Sequence, residues 1–266
     1  VLTNNTNLGL IALVFISNFA FVILSVIILS KMFNSEEILF GNSRNFSFLE
    51  KRSNIKKGTM PTVSDGVILY AVGLVLLIYV GSYIQLKFKM TGIVLTQVMI
   101  ISLPILFAFY IKSDFKKVFS LKLPKFKHLL GSGILWIGCY LLVFILTNII
   151  MYYFPQNQEI VEGLNDALFI KDNLLLNLLI VAVMPAICEE MFFRGFILKK
   201  LMNSFKFWIA NTITSLLFVT IHFPIWFYKG LFEFPYILTV SLSAFILSVI
   251  FGYVYKKSGS LWSVIV

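Results

Sequence analysis

Seven nearly unbroken apolar stretches alternate with short, basic connections along the chain. They cover Leu8–Ser30, Val67–Leu86, Ile93–Ile111, Leu129–Phe154, Leu174–Phe196, Phe207–His222 and Tyr236–Tyr255. Most reach or approach the ~20 residues a helix needs to cross ~30 Å of hydrocarbon. In lipid a backbone amide finds its partner only within the chain, so such stretches are helices. The pattern therefore predicts an all-α fold, a polytopic transmembrane helical bundle with about seven spans. Pro104 and Pro185 are predicted to kink their helices, because each removes a donor and crowds the preceding turn. The connection from Lys31 to Gly66 is long and polar and reads as a partly ordered loop. With no internal repeat and no soluble segment, residues 1–266 read as a single integral membrane domain. An eighth span is expected beyond Val266, because Leu261–Val266 is apolar and the chain stops there.

Composition supports the membrane reading. Hydrophobic residues make up 59% of the 266 and charged residues 13%, where a soluble domain carries roughly 25% charged. The first stretch follows an uncharged start with no basic flank and no small-residue cleavage site, so it reads as a retained span. Cys139 and Cys188 both lie inside apolar stretches, outside any C-x-x-C pair, and read as small packing residues.

The net charge of +10 does not point to nucleic acid, because the basic residues sit between spans, where they meet lipid headgroups and set topology. Eighteen of the 22 Lys and Arg, among them Lys51, Arg52, Lys116, Lys122, Arg194 and Lys206, follow spans one, three, five and seven. The opposite side holds Lys87, Lys89, Lys171 and Lys229. By the positive-inside rule the amino terminus lies outside, together with the acidic loop Gln156–Asn173.

Charges within a span are costly and mark function by default. The fifth stretch carries Cys188-Glu189-Glu190-Met191-Phe192-Phe193-Arg194-Gly195. Glu190 and Arg194 are i,i+4 with the acid first, the order that favours an ion pair on one face. Glu189 projects about 100° away and stays outside that pair, which suits a general base. His222 closes the sixth stretch in Phe218-Val219-Thr220-Ile221-His222, and His partners Glu in activating water or holding a metal. The blander reading makes Glu190 and Arg194 a helix-stabilising pair at a membrane boundary, with Arg194 snorkelling, and His222 an interfacial residue. His128, in Lys125-Phe126-Lys127-His128, reads as interfacial. On straight helices Glu189 and His222 would differ in height by about 10 Å at 1.5 Å per residue. A shared site then needs a sixth helix that starts deeper, or a bend at Pro185.

Glu-Glu-x-x-x-Arg on one span and Phe-x-x-x-His on the next resemble the CAAX-protease and bacteriocin-processing (CPBP, or Abi) family of intramembrane peptidases. The likeness covers a core of 174–266. It implies that Glu189 activates water, that His222 ligates a metal or stabilises the transition state, and that Glu190, Arg194 and Phe218 support them. It also implies a further His-x-x-x-Asn or Asp motif on a last span beyond Val266. Two chemistries stay open: a divalent metal, zinc, with Glu189 and His222 among its ligands, or metal-free water activation by Glu with His supporting the oxyanion. The implied substrate is a membrane peptide or protein. The Lys, Asn, Ile and Phe bias suggests a bacterial plasma membrane, with the site opening to the cytoplasm. Two alternatives differ in class: a non-catalytic bacteriocin-immunity or sensor protein, and a proton-coupled transporter, against which the lack of an inverted repeat counts.

Overall fold

The computed structural model describes residues 8–33, 50–155, 173–228 and 234–265. The loop 156–172, most of the long connection after the first span, and Val266 lie outside the described residues. Among the described residues the fold is entirely helical, as the apolar pattern requires. Helix α1 is Leu8–Phe33. A long apolar helix, Val63–Tyr110, reverses direction at Lys89, whose φ of 45° and ψ of −118° are not helical. We call its limbs α2 (63–88) and α3 (90–110). Then come α4 (Phe126–Tyr153), α5 (Leu174–Leu201), α6 (Phe207–Thr220), α7 (Phe223–Tyr228), α8 (Phe234–Ser258) and α9 (Trp262–Ile265).

The α2–α3 hairpin is diagnosed by its cross-links. Gln85 Nε2 donates to Thr96 Oγ1 at 2.8 Å, whereas a straight helix would hold those residues about 16 Å apart. At Gly92 the limbs come so close that a Cβ would lie 2.5 Å from the Ile84 carbonyl oxygen. Helix α2 starts at a capping box: Asp65 N–H donates to Thr62 Oγ1, and Thr62 N–H to the Asp65 carboxylate at 2.8 Å. That satisfies two of the donors a helix start leaves open.

Every apolar stretch read from the sequence falls on a helix. Five described helices are long and apolar enough to cross a membrane, the α2–α3 hairpin counting as one of them. Helix α4 presents Ile134, Trp136, Tyr140 and Ile145 outward, as a lipid-facing helix should. A buried aromatic cluster forms where α3, α5 and the short helical turn Phe115–Val118 meet. Phe107, Phe119, Phe192, Phe193 and Phe196 are buried there, with Phe107 and Phe196 edge-to-face at 6.1 Å. Lipid tails are as apolar as these rings, so close packing rather than hydrophobicity holds the spans together.

Neither proline breaks its span. Pro104 sits inside α3. Before Pro185 the α5 backbone widens into a π-helical stretch, Leu178–Val183, where the Met184 N–H reaches back to the Leu179 carbonyl. A second such stretch, Met191–Leu198, follows Glu190 directly. Wide turns of this kind let a helix redirect side chains without unwinding.

Candidate active site

The two carboxylates of α5 lead separate lives. Arg194 Nη1 donates to Glu190 Oε1 at 2.8 Å, and Arg194 Nη2 donates to the Ser248 carbonyl at 2.9 Å and its Oγ at 2.8 Å. The rings of Phe218 and Phe251 flank the guanidinium at 5.0 and 5.8 Å. Arg194 is 0% exposed and Glu190 4%. The boundary-pair reading, with Arg194 snorkelling, is therefore corrected: the guanidinium is sealed inside the bundle and ties α5 to α8.

Glu189 turns the other way, into a cleft bounded by α2, α3, α5 and α7. Its Oε1 accepts from Gln97 Nε2 at 2.7 Å, and its Oε2 makes no hydrogen bond among the described residues. The same cleft is lined by His222, with Ser82, Gln85, Thr96 and Gln97 forming a polar wall. Its volume, about 60 Å³, is room for a few waters at roughly 10–15 Å³ each.

His222 stands in the turn between α6 and α7. Its Nδ1 lies 2.8 Å from the Phe218 carbonyl oxygen. A carbonyl only accepts, so Nδ1 carries the proton and Nε2 is the nitrogen left for chemistry. Trp226 stacks on the imidazole at 5.8 Å, and the Phe218 ring meets its edge at 5.1 Å. Phe218 thus orients the histidine with its carbonyl and covers Arg194 with its ring. Nearby, Tyr70 and Thr220 share a hydrogen bond of 2.7 Å between α2 and α6.

The expected height mismatch shrinks because α5 runs on to Leu201, past the Phe196 at which the fifth apolar stretch ends. The apolar span runs on past His222 to Phe227, so the histidine lies partway along it and not at its end. At 1.5 Å per residue, Glu189 lies about 18 Å along α5 from Leu201 and His222 about 22 Å along the chain from Phe207. His222 thus shares the cleft with Glu189, a placement that the interfacial reading does not provide.

The sequence reading missed the polar wall. Its signal was a polar residue, Gln97, inside the apolar stretch Ile93–Ile111. That the amide meets Glu189 depends on the hairpin packing against α5.

The described donors do not make up a catalytic zinc set. Such a site takes three protein ligands, and no three His, Cys, Asp or Glu side chains converge among the described residues. Of these residue types, Glu189 and His222 line the cleft.

Residues 171–266 match the family model described as Type II CAAX prenyl endopeptidase Rce1-like. The match takes in Glu189, Glu190, Arg194, Phe218 and His222 and leaves α1 to α4 outside. Comparison with curated proteins and with solved structures gives no significant match. The C-terminal third of this helical bundle is thus similar to the type II CAAX prenyl endopeptidases, a family of intramembrane peptidases.

Proposed function

We propose that the protein hydrolyses a peptide bond of a membrane-associated peptide, using a water molecule that Glu189 deprotonates in the cleft it shares with His222. The observation that carries this reading is the cleft itself: behind its polar wall it holds one carboxylate with a free oxygen and one imidazole with a free nitrogen.

The water oxygen attacks the carbonyl carbon of the scissile bond while its proton passes to Glu189 Oε2. His222 Nε2, with Nδ1–H bound to the Phe218 carbonyl, accepts from the second O–H of that water and aims its oxygen at the carbonyl carbon. Glu189 then returns its proton to the departing amine nitrogen as the C–N bond breaks. The Glu190–Arg194 pair acts at a distance, holding α5 against α8 so that Glu189 keeps its direction. The Lys, Asn, Ile and Phe bias of the chain supports a bacterial plasma-membrane location, and the eighteen-to-four distribution of basic residues supports access to the cleft from the cytoplasm.

The test uses the full-length protein in detergent or liposomes with an internally quenched peptide ending in a CAAX sequence, prenylated and unprenylated. Glu189→Gln should lower cleavage by about 10²- to 10⁴-fold, the range of a lost general base, while the helical signal and elution profile stay unchanged. Cleavage that survives Glu189→Gln overturns the mechanism. No cleavage by the unsubstituted protein, with the peptide still bound, would favour a binding role such as bacteriocin immunity or sensing.

A further inference from the structure

Gln97 lies on α3, well before the region that matches the peptidase family. Its side-chain amide has one oriented bond and one open group. Nε2 donates to Glu189 Oε1 at 2.7 Å, and Oε1 is buried with no partner among the described residues. The orientation follows from chemistry: an ionised carboxylate only accepts, so the NH₂ end must face Glu189. The carbonyl end is then left buried without a partner among the described residues. A buried acceptor without a partner costs free energy, and native interiors keep such groups only for a reason. An apolar side chain of similar length would fill this place in α3 without that cost. The bond to Glu189 is the one return the structure shows for it.

Resting on the reading of Glu189 as the base, we propose that Gln97 is a positioning residue that pins Glu189 Oε1, so that the carboxylate meets the cleft water with Oε2 alone. A carboxylate free to rotate about its last torsion would present either oxygen, and terminal torsions of this kind have broad minima. Locked by one charge-assisted hydrogen bond, it holds a single basic oxygen in the space it shares with His222 Nε2. Gln85 and Thr96 complete the wall but bond to each other, leaving Gln97 as the contact between α3 and the carboxylate. The reaction geometry is then set from both sides of the family match: the base comes from α5, and its orientation from the α2–α3 hairpin.

Gln97→Met keeps the length and removes the donor. It should lower kcat about 10- to 100-fold with KM changed less than threefold, because a base that is misaligned does not weaken substrate binding. Gln97→Glu keeps the shape but places a second carboxyl against Glu189. Glu189 and His222 are the titratable residues lining the cleft, while Glu190 and Arg194 engage each other on another face of α5. Activity of Gln97→Glu, relative to the unsubstituted protein, should therefore rise as pH falls. The introduced carboxyl, once protonated, donates as the amide does. Gln97→Met should show no such recovery.

In a Glu189→Gln background, Gln97→Met should have no further effect. If Glu189→Gln abolishes cleavage while Gln97→Met keeps its kcat, positioning by Gln97 is wrong and the role of Glu189 stands. Should Glu189→Gln stay active, the mechanism itself falls first. A matched loss of kcat, KM and thermal stability in Gln97→Met, with no acid recovery in Gln97→Glu, would make Gln97 a packing residue and overturn the proposal.

Discussion

Within α5 the difference between neighbouring carboxylates comes from what the rest of the bundle offers each one. Glu190 meets a guanidinium with which it is fully enclosed, at 2.8 Å. Glu190 Oε2 and Arg194 Nε nevertheless lack partners among the described residues. A buried pair of this kind contributes little net stability, yet removing one member strands the other charge. Arg194→Ala should therefore destabilise the fold by about 3–5 kcal/mol, measured by denaturant or thermal unfolding in detergent. Glu190→Leu combined with Arg194→Met should cost less than the two single changes added. Additive losses would show that the two charges are not coupled. The ion pair and the separate face of Glu189 were legible from i,i+4 spacing alone. The bond to Ser248 was not, since it joins positions 54 apart in the chain.

Two helix contacts shape the site at the level of elements. Helices α6 and α8 meet at Gly252, where an added Cβ would fall 1.8 Å from Asn211 Oδ1. Asn211 Nδ2 donates to the Val249 carbonyl at 2.9 Å in the same contact. Small residues at such crossings let backbones meet within a membrane. Gly252→Ala should therefore destabilise by roughly 1–3 kcal/mol, the usual cost of overpacking, and Asn211→Ala in addition should recover part of it. If Gly252→Ala unfolds like the unsubstituted protein, α6 and α8 are not held at this distance. The second contact is the hairpin, which delivers Gln85, Thr96 and Gln97 to the wall of the cleft. Apolar runs predicted both of its limbs, because hydrocarbon thickness sets their length. The end of the sixth span was misjudged at His222, because a polar residue looks like a boundary. The apolar residues that follow, Phe223 to Phe227, carry the span onward.

For the whole molecule, the distribution of Lys and Arg predicts which ends of the helices share a side. Cys139 and Cys188 are buried and so make a quiet background for labelling. A cysteine at Lys89, exposed at the α2–α3 turn, should react with a membrane-impermeant thiol reagent in intact cells. Cysteines at Lys116 and Lys206, also exposed, should react only after permeabilisation. The reverse pattern would invert the topology and place the mouth of the cleft on the other side.

Hydrophobic run length alone determined the helical membrane class, because a bilayer tolerates few backbone solutions and each needs an apolar segment of fixed length. The spacing of Glu189, Glu190 and Arg194 on one helix and of Phe218 and His222 near the next was equally local, and it identified the family resemblance. Tertiary structure alone decided what those residues touch. Whether His222 lay at an interface or beside Glu189 depended on how far α6 and α7 carry the chain through the bundle. Whether Glu189 stood free or was held depended on a hairpin that brings residue 97 to residue 189. Contacts across such separations leave no periodic trace in a sequence, because they are set by helix packing and not by the repeat of any one helix.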